Sequence, residues 1–312
     1  MLLLKYTIER FLSMLLVILI IITITFLLMH AIPGGPFTGE KNLPPAVIQN
    51  IMERYKLNDP LWKQYVDYLG NIVRGDFGPS FKYEDRTVNQ IIADGLPISA
   101  VLGFGSAGVS ILLGIPAGII AALRQNKWPD YAVMFAATIG ISVPNFITAT
   151  LLIYVLALKL ELLPAAMWGG IEYAIMPILS LAAYPTAVIA RLTRASMLVV
   201  LGQDYIRTAK AKGLSTFTII WRHTLKNALM PVVTYLGPMI AFILLGSFVV
   251  ESIFAIPGLG RYFVMSIYNR DYTTILGVTI LDATMLVVFN FLVDIAYVFL
   301  DPRIKLDGRK DG

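Results

Sequence analysis

Residues 204–231 read DYIRTAKAKGLSTFTIIWRHTLKNALMP, the longest polar interruption in the second half of the chain, between two apolar runs each long enough to cross a membrane. Arg207, Lys210, Lys212, Arg222 and Lys226 concentrate positive charge there, which predicts a cytoplasmic position. Tyr205 to Lys212 contains no helix breaker. Gly213 stands where a helix would end in a left-handed cap, and Ser215 or Thr216 can cap the next one. Phe217, Ile220, Trp221, Thr224, Leu225 and Ala228 then fall at helical spacing on one face. Two short helices with a glycine elbow, held under a membrane bundle, make a docking element. Spacing alone equally allows an amphipathic loop lying on lipid headgroups.

Working outward, the chain of 312 residues is 57% hydrophobic and only 14% charged, with a mean hydropathy of +0.73, too apolar for an ordinary soluble domain. Its net charge of +5 is spread over loops and does not form a nucleic-acid-binding patch. Zero cysteines exclude disulfides and thiolate metal sites, and two histidines, His30 and His223, argue against a multi-histidine metal centre. Phe11 to Met29 is an apolar run behind Lys5 and Arg10. It is longer than a signal-peptide core, and the MHAIPGGPF that follows lacks a small-x-small cleavage site, so it reads as an uncleaved first span. Further spans are predicted at Leu96 to Leu123, Tyr131 to Leu158 with a bend at Pro144, Tyr173 to about Val200, Leu229 to Phe254 and Ile275 to Leu300. The reading is an all-α, multi-pass membrane protein of six transmembrane helices. Residues 1–30 form the N-terminus and first helix, 31–95 an extracytoplasmic insertion, 96–301 the five-helix domain with its loop at 201–228, and 302–312 a tail. Basic residues gather in the segments assigned inside (Arg124, Lys127, Arg191, Arg194, the 204–231 loop, Arg303 and Lys305). The short outer loops carry only Lys159, Arg261 and Arg270, so both termini are placed in the cytoplasm.

Within the insertion, Ala46 to Leu57 and Leu61 to Val73 read as short amphipathic helices separated by Asn58-Asp59-Pro60. Its aromatic residues, among them Trp62, Tyr65, Tyr68 and Phe77, predict that it packs on something, for which the bundle itself would serve. Glycines in Leu96 to Leu123 (Gly103, Gly105, Gly108, Gly114, Gly118) suit close helix packing, and Ser106 and Ser110 among them read as packing or hydrogen-bonding residues. They lack the setting of a nucleophile elbow.

The outer connection ESIFAIPGLGRYF, Glu251 to Phe263, is interrupted by Pro257, Gly258 and Gly260, as in a re-entrant turn or a tight surface loop. Two acids fall in the last span. Asp294 is near its inner end, where it can snorkel or pair. Asp282 is deeper and must face protein or a wet cavity; a structural pair is the reading taken, since nothing else resembles a proton relay. No GxxxxGK[ST] phosphate loop, HExxH pair or Ser-His arrangement is present, so neither ATP hydrolysis nor another catalytic activity is expected of this chain.

The 204–231 stretch resembles the cytoplasmic loop of type I ATP-binding-cassette importer permeases, written Glu-Ala-Ala, three residues, Gly, nine residues, Ile, one residue, Leu-Pro. Arg207-Thr208-Ala209 stands for Glu-Ala-Ala, Gly213 for the glycine, and His223 and Leu225 for Ile and Leu; Lys226 replaces the proline, which appears at Pro231. RTAKAKGL followed by RHTLKNAL is the form of the peptide-permease branch. FTGE, LPP, YKLNDP, GDFGPSFKY and Arg270-Asp271-Tyr272 extend the resemblance, over nearly the whole chain, to the B-type permease of oligopeptide importers. The resemblance implies a bacterial inner-membrane subunit forming half of an oligopeptide pathway, with a homologous second permease, two ATPase subunits or a fused equivalent, and an extracytoplasmic peptide-binding protein. ATP and Mg would bind the ATPases and no cofactor this chain. Tyr205, Arg207, Ala209, Lys210, Gly213, Leu214, Arg222 and His223 would form the ATPase-docking loop, and Glu251, Pro257, Gly258 and Gly260 the outer mouth. Related permeases carry dipeptides, glutathione or chelated nickel, which remain open as cargo. An ion-coupled secondary transporter is the rival, with Asp282 at its centre.

Overall fold

A computed structural model describes residues 2–31, 58–83, 85–244 and 248–300. The regular elements among them are helices: α1 (Leu2–Ala31), α2 (Leu61–Val73), α3 (Val88–Leu123), α4 (Trp128–Ser142), α5 (Asn145–Leu152), α6 (Ile171–Leu201) and α7 (Asp204–Ala211). Thr216–Thr218, the π-helical Ile219–Thr224 and Leu225–Ala228 run on as α8, followed by α9 (Met230–Leu244), α10 (Phe248–Ile253), α11 (Leu259–Asn269) and α12 (Tyr272–Leu300). Five of the helical segments are long and apolar enough to cross a bilayer, and α4 with α5 makes a sixth when the pair is taken as one bent span. This is the architecture of a multi-pass membrane protein.

The helices depart from the expected spans at two points. The second span begins at Val88, not Leu96, because Thr87 caps it: its hydroxyl accepts from Gln90 N while the Gln90 side chain accepts from Thr87 N. Pro97, one residue past the expected start, sits inside the helix. The third span is broken rather than gently bent. Its halves meet at 104° around Val143 and Pro144, where proline has no N–H to continue the ladder, and the second half ends in π-helical turns at Ile153–Lys159.

Packing centres on α3 against α6. Ser106 Oγ donates to Leu102 O (2.6 Å) and reaches Ile178 O (3.2 Å), and Ser110 Oγ donates to Ser106 O (2.7 Å) and reaches Ala182 O (3.3 Å). Both hydroxyls therefore bridge the helices. α4 and α9 also lie against α6, α9 against α12, and α1 against α12. Leu102, Met176, Ile189, Phe254 and Ile256 are fully buried at the centre.

Leu61–Val73 packs on the C-terminal end of α1. Tyr65 Oη and Thr23 Oγ1 share a hydrogen bond (2.6 Å), Phe26 stacks near Tyr65 and Tyr68, and His30 Nε2 lies 3.3 Å from Gln64 Oε1. Burial pushes the Tyr68 phenol well above its usual pKa. The expected helix at Ala46 to Leu57 and the tail at 302–312 lie outside the described residues. The far end of the insertion is tied to the last span by Asp271, which is fully buried. Its carboxylate accepts from Ser80 Oγ (2.5 Å), Phe81 N (3.0 Å), Thr273 Oγ1 (3.0 Å) and Thr274 Oγ1 (2.8 Å). So GDFGPSF and RDY, remote in sequence, meet in one polar knot.

Candidate functional site

The 204–228 element builds itself from local rules. Asp204 in the first turn of α7 and Lys210 in the last complement the helix dipole. Gly213 has φ +73°, with open space around its α-carbon, so the constraint there is conformational and not steric crowding. Leu214 N folds back to Ala209 O (3.3 Å), the closing bond that accompanies a left-handed glycine. Ser215 Oγ then accepts from Thr218 N (3.3 Å) and starts α8.

Two anchors hold the pair of helices to the bundle and to each other. Ile206, Ala209 and Ile219 are buried against Leu201, and Ile220, Leu225 and Ala228 pack beside Met197 near the C-terminal end of α6. Asn227 Nδ2 donates to Tyr205 Oη (2.9 Å), joining α8 back to α7. Within α8, Thr224 Oγ1 donates to Ile219 O (3.0 Å) across a π turn. That wide turn splits the face expected from a 3.6-residue period. Ile220, Thr224, Leu225 and Ala228 are buried, whereas Phe217 and Trp221 are 70% and 61% exposed.

The outward surface therefore carries Tyr205, Leu214, Phe217 and Trp221, with the Phe217 and Trp221 rings 5.9 Å apart. Arg207, Lys210, Lys212 and Arg222 are exposed around them, Ala209 is buried and His223 is half-buried. The Arg207–Asp204 contact of 3.5 Å is open to water and contributes little. The exposed aromatic pair thus stands inside a basic rim, with aromatics at the centre and charge at the edge. Sequence spacing missed Phe217 and Trp221 as surface residues, since nothing in it announces the π turn.

At the other end of the molecule, Glu251 lies on α10 and is fully buried. Its Oε1 accepts from Ser99 Oγ on α3 (2.9 Å) and its Oε2 from Arg261 N in α11 (2.9 Å), while Ser99 Oγ accepts from Leu259 N (2.9 Å). Gly258 presses on this carboxylate: a Cβ built there would lie 2.4 Å from Glu251 Cδ. Of the residues expected at the outer mouth, Glu251, Gly258 and Gly260 form a buried clasp and Pro257 is exposed. In the last span, Asp282 Oδ1 is buried without a hydrogen-bond partner, so the expected pair is not formed among the described residues. The Asp294 side chain lies outside them. Among the described residues no group of three or more His, Cys, Asp or Glu is placed to hold a metal.

A multi-pass helical bundle with a short helix pair projecting from between two spans is the architecture of a transport permease. Residues 114–306 match the family described as binding-protein-dependent transport system inner membrane component, and residues 3–103 match its N-terminal counterpart. The chain belongs to that family. It is 53% identical to the dipeptide transport system permease protein DppB of Bacillus subtilis (strain 168), with 97% of this chain and 98% of that protein covered. It is 47% identical to the oligopeptide transport system permease protein OppB of Haemophilus influenzae, with 97% and 99% covered. The MetNI methionine ABC transporter, solved in inward-facing conformations, shares the fold with a TM-score of 0.56 at 16% identity, over 68% of this chain and 97% of that one.

Proposed function

We propose that this chain is the transmembrane permease subunit of an ATP-binding-cassette importer for peptides, and that a homologous second permease completes its pathway. The carrying observation is the aromatic and basic surface at Leu214, Phe217, Trp221 and Arg222, held on a left-handed Gly213 elbow. Two ATPase subunits dock there and supply ATP binding and hydrolysis, with Mg. An extracytoplasmic binding protein delivers peptide to the opposite face, around the Glu251–Arg261 clasp. Both termini lie in the cytoplasm, as the charge bias implies.

Mechanistically, the docked helix pair must sit differently in two global states, or ATP binding on another chain could not shift the membrane gate. Its packing on Leu201 and Met197 makes the inner end of α6 the element that would receive this movement. Relatives named for dipeptide and for oligopeptide transport cover the same share of the chain, which supports peptides as cargo without choosing a length.

The test is isolation of the tagged chain from native membranes, with co-purifying proteins identified by mass spectrometry and peptide uptake measured in liposomes. A second permease, ATPase chains and ATP-dependent uptake are expected. A chain that purifies alone and moves substrate on an ion gradient would overturn the reading and turn attention to the unpartnered carboxyl of Asp282.

A further inference from the structure

We propose that α2 is an interfacial helix whose Trp62, Leu69 and Val73 lie among the lipids of one leaflet, at the end of the bundle where α1 stops and α12 starts. Two apolar stripes run along it. Leu61, Tyr65, Tyr68 and Ile72 recur at i, i+4, i+7 and i+11. Trp62, Val66, Leu69 and Val73 repeat the pattern one residue on, turned about 100° around the helix. Lys63, Asp67 and Asn71 take the other side. The first stripe meets α1: the Tyr65 phenol shares its bond with Thr23, and the Tyr65 and Tyr68 rings lie 5.3 and 6.3 Å from Phe26. The second stripe is left open. Trp62 is 69% exposed and Val73 87%, while Val66 stands at the edge of a cavity that Asp67 and Asn71 also line.

The level of α2 follows from α1. The apolar span of α1 covers Arg10–Ala31, 22 residues and roughly 33 Å, the hydrocarbon thickness of a bilayer. Its last turn stands level with the first residue of α12, where the His30 and Tyr272 rings are 6.3 Å apart. Two spans therefore mark one edge of the hydrocarbon. Gln64 meets His30 at that edge (3.3 Å), whereas Tyr65 reaches Thr23, seven residues and roughly 10 Å further in. Tyr65 thus turns the apolar half of α2 into the bilayer and leaves Lys63 and Asp67 in water. Amphipathic helices rest at this level with their apolar half sunk among the acyl chains, and tryptophan collects there. Beside Thr23 and Phe26, α1 exposes Ile24, Leu27 and Leu28, so the open stripe continues a surface already made for hydrocarbon. A water-soluble partner reaches only what stands beyond that edge, which leaves lipid as the occupant.

α2 then works as a float. From its end the chain runs through Phe77 to Ser80, whose hydroxyl donates to the buried Asp271 (2.5 Å). A helix held at the lipid surface therefore sets the level of the polar knot beside α12.

Nitroxide labels on single cysteines test this in the complex isolated from native membranes and returned to bilayer nanodiscs. The chain itself has no cysteine, and wild-type complex labelled alike supplies the background of its partners. Access to oxygen, which concentrates in hydrocarbon, is compared with access to a water-soluble nickel chelate by power saturation. Trp62→Cys and Val73→Cys should favour oxygen, with a ratio several-fold above that of Asp67→Cys and approaching that of Leu16→Cys on the exposed face of α1. A chelate preference at Trp62→Cys or Val73→Cys puts the stripe in water and overturns the proposal. Poor access to both probes at either position means that protein covers it, from this chain or a partner, and overturns it equally. Oxygen preference at Asp67→Cys as well would describe a helix sunk whole, which refutes an interfacial one. Should Trp62→Cys fail to assemble, Val73→Cys decides alone.

Discussion

Ser99 and Glu251, 152 positions apart, share a hydrogen bond of 2.9 Å in which both residues are fully buried. One hydroxyl there serves two elements, since Ser99 Oγ donates to the carboxylate and accepts from Leu259 N at the start of α11. Replacing it by Ala should orphan both groups and destabilise the α10–α11 connection by about 2 kcal/mol, the usual scale for buried polar atoms left unpaired. Thermal unfolding of the purified protein in detergent would show a lower midpoint for Ser99→Ala. A midpoint equal to wild type would mean the clasp is not closed as described.

The left-handed elbow at Gly213 predicts a graded series. With φ +73° and nothing near a built Cβ, substitution strains the backbone without a clash. Gly213→Val should cost roughly 1 kcal/mol or more, while Gly213→Asn should be tolerated better because asparagine enters that region more readily. ATPase co-purification should fall in the order Gly, Asn, Val at equal membrane levels. Equal recovery with all three would refute an elbow-dependent docking surface.

How much of this was legible beforehand depends on the range of the interaction. Gly213 as a left-handed terminus and Leu61 to Val73 as a helix follow from local rules and stand in the structure, and of the two caps allowed, Ser215 and Thr216, it is Ser215 that caps. The start at Val88 was also written locally, in the Thr87 and Gln90 capping box that the expected start at Leu96 passed over. The 104° break at Pro144 exceeds what one proline implies, because Val143 and Pro144 are both extended and the helix stops and restarts there. The pairings Ser99–Glu251, Ser80–Asp271 and Asp130–Arg194 span 64 to 191 positions, and no spacing rule reaches so far. The exposure of Phe217 and Trp221 needed the π turn that Thr224 closes.

Asp130 and Arg194 supply a third prediction. The carboxylate is buried, accepts from Nε and Nη2 of Arg194 and from Asn126 N (2.9 Å), and so fixes the start of α4 against α6. Arg194→Ala would strand that carboxylate and should destabilise by about 3 kcal/mol, while the double variant Asp130→Asn with Arg194→Gln should recover part of the loss. A double-mutant cycle on unfolding midpoints measures the coupling. Strict additivity would show that the two side chains act independently.

The glycines of α3 predict opposite outcomes within one helix. A Cβ at Gly118 would lie 2.5 Å from Thr193 Cβ and 2.6 Å from Ala190 O, so backbone on α6 must move to admit it. At Gly108 nothing lies within 4 Å, although the residue was expected from sequence to serve close packing like the others. Gly118→Ala should therefore lower the unfolding midpoint through overpacking, by about 1 to 3 kcal/mol. Gly108→Ala should leave stability unchanged or raise it by up to about 1 kcal/mol, since alanine loses less backbone freedom in a helix. The comparison controls for helix propensity, which favours alanine at both positions, so only contact with α6 can reverse the sign at Gly118. Equal midpoints for the two variants would mean that α3 and α6 are not packed at this distance in the membrane.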